Sequence, residues 1–279
     1  MKYLKMFLNA VKKPLLISFI AALGIGGVLG FLGLTGKPFY VPLCIAFGIW
    51  LVLWILLYLM VSASMKKEEP LDAILAEQGY GDAWLQKHSE IYPTPTRSEK
   101  LRRVDVLSYL NRYDEAKALL DSIPTVGLND DQNFQLNNAR LDMLLTTGHY
   151  DEAAAFLGSC RKFMDIYSQG NPLYGAVYGL NAGVILAIQG DFDGSEHYIS
   201  TSERIISTRK SMSPVTVEIA KTMRLYALGF TDRAEAQEEQ TYQAILQDPL
   251  LPKQWQKDHF LALLGRAQNL TPEKRQEET

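Results

Sequence analysis

Two uninterrupted apolar runs, about 14–34 and 39–61, open the chain, and from Glu68 onward 212 residues alternate short polar turns with apolar positions at helical spacing. The runs hold about 21 and 23 residues, roughly 30 Å or a little more as helix, which matches the hydrocarbon thickness of a bilayer. Between Pro14 and Val61 the only charged residue is Lys37, in the break Thr35-Gly36-Lys37-Pro38. The second run contains fourteen Leu, Ile, Val or Phe residues, enough to favour insertion by several kcal/mol. Gly24, Gly26, Gly27, Gly30 and Gly33 dilute the first. The pattern predicts a two-helix transmembrane hairpin over residues 1–67. A cleaved signal peptide is the alternative for the first run, but the run is long and no small-x-small cleavage site follows it.

The remainder reads as helix throughout. Apolar spacing and breakers predict helices near 70–78, 82–91, 98–110, 113–122, 130–147, 150–167, 172–189, 192–210, 214–229, 231–247 and 252–268. Pro93 and Pro95 separate the first pair, Pro124 and Gly127 close the next, and Pro172 and Pro214 precede later helices, because proline ends a helix more readily than it continues one. Trp255, Phe260, Leu261 and Leu264 give the last helix an apolar side that would cap the end of the array. The stretch 271–279 is polar and expected to be disordered.

Four short turns recur between these helices: Arg112-Tyr113-Asp114-Glu115-Ala116, His149-Tyr150-Asp151-Glu152-Ala153, Asp191-Phe192-Asp193-Gly194-Ser195 and Phe230-Thr231-Asp232-Arg233-Ala234. Their aromatic marks, from Tyr80 through Tyr113, Tyr150, Phe192 and Phe230, are spaced by 33, 37, 42 and 38 residues. Periods of this size mean stacked supersecondary units. The third unit is the clearest, with Gly183, Gly190, Asp191 and Phe192 in sequence. These residues, with Gly148 and Ala153 in the second unit and Gly229 and Ala234 in the fourth, resemble the tetratricopeptide repeat family over roughly 69–249. The family's bulky tryptophan is missing, with Asn137 and Gly179 at the equivalent places. The resemblance implies an all-α solenoid of helical hairpins over 68–270, in which a turn glycine lets the chain reverse, an aromatic wedges between helices and an alanine permits close crossing.

It also implies that the first helix of each pair lines a concave groove. On this sequence that surface would comprise Gln135, Asn138 and Asp142, then Leu180, Val184 and Ala187, then Ile219, Met223 and Tyr226. It lacks the Lys and Arg cluster by which some members clamp a peptide's terminal carboxylate. An apolar middle suits an amphipathic helix or an extended apolar segment; the alternative is that the chain's own C-terminal helix covers it. In the first apolar run, Ala22, Gly26, Gly30 and Gly33 fall on one stripe where a neighbouring backbone can approach closely. Packing against the second run is one use for it, and self-association of two hairpins the other.

Charge divides the chain sharply. Residues 1–67 carry seven lysines and no acid, which leaves 21 basic against all 31 acidic residues in the rest, or net −10. That acidic remainder would repel phosphate backbones, which argues against nucleic acid as a partner. Lys2, Lys5, Lys12 and Lys13 precede the hairpin and Lys66 and Lys67 follow it, so the positive-inside rule puts both termini and the repeat domain in the cytoplasm of a multi-pass membrane protein.

Chemistry is sparse. His88, His149, His197 and His259 stand far apart, Cys44 and Cys160 are not paired, and no HExxH or His-Cys cluster offers metal-ligand spacing. Asp191, Asp193 and Glu196 beside His197 are helix-terminal acids rather than a calcium loop, and Ser207-Thr208-Arg209-Lys210 matches S-x-x-K only at a helix end. No catalytic residue, metal or cofactor is expected. The reading is a membrane-anchored scaffold or adaptor that recruits a protein or peptide; the alternative is a non-catalytic structural subunit or assembly factor, with the hairpin making the main contact.

Overall fold

The computed structural model describes residues 14–25, 28, 31, 38, 40–210 and 212–277, and these are helices joined by turns, with no strand among them. The chain divides into two compact units, 1–78 and 79–279.

In the first unit, α1 (Pro14–Ile25) and α2 (Tyr40–Gln78) carry the apolar runs. Among the described residues α2 is the one helix long and apolar enough to cross a membrane, and none of its most apolar window is buried. Its 39 residues would extend about 58 Å at 1.5 Å per residue. Leu53 is 61% and Met60 71% exposed. The sequence predicts a break between a span ending at 61 and a helix starting at 70, but the helix runs through Pro70 to Gln78. Residues 62–69 hold no glycine and include Lys66, Lys67, Glu68 and Glu69, good helix formers that carry the helix up to a proline costing one backbone hydrogen bond. Ala22 is half-buried on α1, while Gly26, Gly30 and Gly33 lie outside the described residues.

One polar knot joins these helices. Ser18 Oγ donates to the Leu15 carbonyl at 3.0 Å and accepts from Trp50 Nε1 and Trp54 Nε1, each at 3.0 Å. A hydroxyl has one donor and two acceptor sites, so its capacity is filled. The Phe19 ring lies 5.1 Å from Trp50 and 6.1 Å from Phe47.

The second unit begins with α3 (Asp82–Ile91) and then repeats. Helices α4 (Arg97–Tyr109) and α5 (Tyr113–Asp121), α6 (Asp130–Thr146) and α7 (Tyr150–Gly170), α8 (Pro172–Ile188) and α9 (Phe192–Ser207), and α10 (Val215–Ala227) and α11 (Thr231–Gln247) pack as successive pairs. The first helices also touch in order, α4 on α6, α6 on α8 and α8 on α10. Each pair reverses at a left-handed residue: Asn111 at φ 61°, Gly148 at 80°, Gly190 at 79° and Gly229 at 76°. The next amide donates to the carbonyl five residues back, Arg112 to Leu107 at 2.9 Å, His149 to Leu144 at 3.0 Å, Asp191 to Leu186 at 2.9 Å and Phe230 to Leu225 at 3.0 Å. This is the bond by which a left-handed C-cap satisfies a helix's last carbonyls. Ala116, Ala153, Ser195 and Ala234 then sit at the crossing of each pair, all 0% exposed. The turn aromatics depart from expectation: Phe192 and Phe230 remain exposed, with rings 5.8 Å apart, instead of wedging between helices.

Helix α8 is the centre of the core. Tyr178, Ala182, Val184, Ile185 and Ala187 are each at most 1% exposed, which explains why this helix is apolar on nearly every side. The chain ends with α12 (Gln254–Leu264), a short turn of 3₁₀ helix (Ala267–Leu270) and α13 (Pro272–Glu277). Helix α12 packs on α10 and α11 and also reaches the first pair, where Tyr109 Oη donates to the Trp255 carbonyl at 2.7 Å and the Tyr109 and His259 rings stack at 3.8 Å. Beyond it Arg266 donates to the Asn111 side chain and the Tyr113 hydroxyl. Residues 272–277 are helical where the sequence predicts disorder: Arg275 holds the Ile188 and Ala227 carbonyls at 3.0 and 3.1 Å, so the ends of α8 and α10 tie this segment down.

Candidate binding cavity

The inner faces of the first helices, together with α12, enclose a cavity of about 540 Å³, within the ~300–1,000 Å³ range of ligand pockets. The residues follow the turn geometry. Counting back from each left-handed turn residue, the position six before it is Asp105, Asp142, Val184 and Met223, and the position ten before it is Leu101, Asn138, Leu180 and Ile219. All eight line the cavity. Positions four apart share a helix face, so four copies of one register build one surface. Gln135, Val177 and Thr216 extend it by another turn, and Phe260 and Leu263 of α12 close the far side.

Seven of the nine groove residues predicted from sequence therefore meet at one site: Gln135, Asn138, Asp142, Leu180, Val184, Ile219 and Met223. The other two do not. Ala187 and Tyr226 do not line the cavity; they pack in the apolar cluster that includes Ala267 and Leu270 of the C-terminal turn. That turn fills the groove's end, and the Tyr226 hydroxyl is engaged by Glu238. Sequence reasoning missed Leu101 and Asp105, because the groove was carried onto the second, third and fourth units only. Aligning the first unit on Asn111 instead of a glycine would have found both.

The cavity is polar at one end and apolar at the other. Asp105 and Asp142 belong to the first two pairs, while the same register in the last two supplies Val184 and Met223. Both carboxylates face the cavity with exposed side chains that water reaches, and the protein mass packed around them still disfavours their charged form. Burial pushes the Asp105 carboxyl up to about 7, helped by the nearby charge of Asp142. Burial likewise raises Asp142 to about 6, opposed by a hydrogen bond from the Asn181 side chain. Asn138 Oδ1 is buried without a hydrogen-bond partner. No Lys, Arg or His is among the lining residues. The site thus presents acceptors in excess of donors.

The histidines lie elsewhere. His88 is buried, stacked on Trp84 with 5.0 Å between ring centres, and burial lowers His259 to about 4 beside Tyr109. Among the described residues no group of three or more His, Cys, Asp or Glu is placed to hold a metal ion. What the arrangement can do chemically is exclude water from an apolar surface and accept hydrogen bonds or protons at one end of it. No family model, curated protein or solved structure matches the chain.

Proposed function

We propose that this chain is an integral-membrane adaptor: a two-helix hairpin anchors a tetratricopeptide-like solenoid on the cytoplasmic side, and the solenoid's inner cavity captures a segment of another protein. The observation that carries the reading is the shared register of the cavity wall. Four hairpins place the same two positions on one surface, the arrangement by which repeat arrays make extended binding faces. The exposed apolar length of α2 and the Ser18–Trp50–Trp54 knot support the anchor, since two indole donors satisfied by a neighbouring helix suit a medium without water. To test it, a benzophenone side chain is placed at Leu180, or at Ile166 on the outer face of α7, in the full chain in its native membrane. The expected result is a protein adduct from Leu180 alone. Adducts from Ile166 only, or from neither, would refute the groove.

The exposure of α2 favours a second reading, a non-catalytic structural subunit or assembly factor held mainly through its membrane helices. In that case a benzophenone at Leu53 would give the adduct and Leu180 would not.

A further inference from the structure

The cavity's two ends differ in what they lack. At the apolar end Leu180, Val184, Ile219 and Met223 offer dispersion contacts and no polar atoms. At the other end, Asp105, Asp142 and the unpartnered Asn138 Oδ1 supply acceptors with no lining cation to use them. A carboxylate-bearing ligand would meet two carboxylates of its own charge there and no cation. An ammonium or guanidinium brings three to five donors and the opposite charge. The volume, about 540 Å³, holds more than one side chain, so the cation would arrive with apolar neighbours.

We infer that the cavity takes a basic-apolar peptide segment, with a lysine or arginine seated between Asp105 and Asp142 and its apolar neighbours along Leu180, Val184, Ile219 and Met223. This rests on the adaptor reading above and adds the chemistry of the partner. Such segments are concentrated where the proposed anchor holds the domain: the cytoplasmic flanks of membrane spans carry Lys and Arg directly beside apolar residues. The partner class is therefore the juxtamembrane flank of another membrane protein.

Protonation follows from the same geometry. Among the described residues, Asp105 on α4 and Asp142 on α6 are the only charged side chains lining the cavity; α6 also contributes Gln135, Asn138 and Thr146, α8 and α10 contribute Asn181, Thr216, the Tyr174 phenol and apolar groups, and α12 contributes Phe260 and Leu263. With carboxyls near 7 and 6, the empty site keeps protons that a bound cation expels. Affinity for a basic segment then rises with pH through that window.

The test uses the full chain in phosphatidylcholine nanodiscs, with empty nanodiscs as the blank and three labelled peptides, ALVKRLA, ALVQQLA and ALVEELA. The basic peptide should bind at least ~10-fold more tightly than the amide one, the acidic one not at all, and its affinity should rise by ~10-fold or more from pH ~5.5 to pH ~8. Asp105→Asn with Asp142→Asn should reduce the basic peptide to the level of the amide peptide and flatten its pH profile; the wild-type profile stands independently should the double variant misfold. Equal binding of the basic and amide peptides, both lost in Leu180→Asp, would overturn the inference and leave the groove intact. Binding of none of the three would overturn both.

Discussion

Asp105 is a carboxylate held where it prefers to stay protonated, and that preference has a stability consequence of definite sign. Its folded value, about 7, lies above the ordinary carboxylate range, so the folded chain keeps a proton that the unfolded chain releases between pH ~4 and ~7, and stability falls across that window. Asp105→Asn removes the penalty. Allowing for the water the cavity admits, the gain should be about 1–2 kcal/mol at pH ~8 and absent near pH ~4, read as a rise in Tm by circular dichroism at the higher pH only. A Tm gain equal at both would show that the carboxyl is not perturbed. Glycines offer a second residue-scale contrast. A Cβ at Gly183 would come within 2.6 Å of Ile199 Cγ1 and 3.2 Å of the Ser195 carbonyl, whereas Gly158 on α7 has nothing within 4 Å. Overpacking costs about 1–3 kcal/mol and exceeds the ~1 kcal/mol that alanine gains in helix propensity. Gly183→Ala should therefore lower Tm, and Gly158→Ala should raise it by the propensity term alone.

At the scale of elements, the Ser18 knot makes α1 and α2 separable by one atom. Ser18→Ala removes the acceptor of both Trp50 Nε1 and Trp54 Nε1. Each interhelical hydrogen bond in a membrane is worth about 0.6–2 kcal/mol, so the variant should loosen the pair by about 1–4 kcal/mol and increase exchange of the indole N–H groups; unchanged exchange would mean the bonds contribute nothing. Helix boundaries were readable where the residue itself enforces them. The starts at Tyr113, Tyr150, Phe192 and Thr231 follow turn residues whose backbone geometry few side chains tolerate, and the start at Pro172 is set by the proline itself. Most of the cavity wall was legible for the same reason, since a fixed turn sets the register of the helix before it. Asn111 hid the first unit because it does a glycine's work with a side chain attached, as asparagine can. The helix start expected near 70 fails in the opposite direction: Pro70, a breaker by local rule, lies inside α2. The C-terminal turn and α13 were not legible at all, because Arg275 is held by carbonyls 48 and 87 residues away, partners that no local pattern announces.

At the scale of the molecule, the proposed topology would place Lys2, Lys5, Lys12, Lys13, Lys66 and Lys67 and the acidic remainder on one side of a bilayer for different reasons. Lysines resist translocation; in that topology the acids would keep the paired-helix domain off anionic lipid and leave its cavity free for the proposed cationic segment. Tethering then raises the effective concentration of cavity and ligand into the mM range for short linkers, so a weak intrinsic affinity is sufficient for occupancy between neighbours in the membrane. The same arrangement can be checked without knowing the partner. In sealed vesicles, trypsin should reach exposed cleavage sites such as Lys117, whose side chain is 51% exposed, only when the cytoplasmic face is outward. Protection in inverted vesicles together with cleavage in right-side-out ones would reverse the topology. Asn269, which opens the acceptor pattern Asn269-Leu270-Thr271, would then become available for glycosylation, and the proposed meeting with cytoplasmic juxtamembrane lysines could not occur.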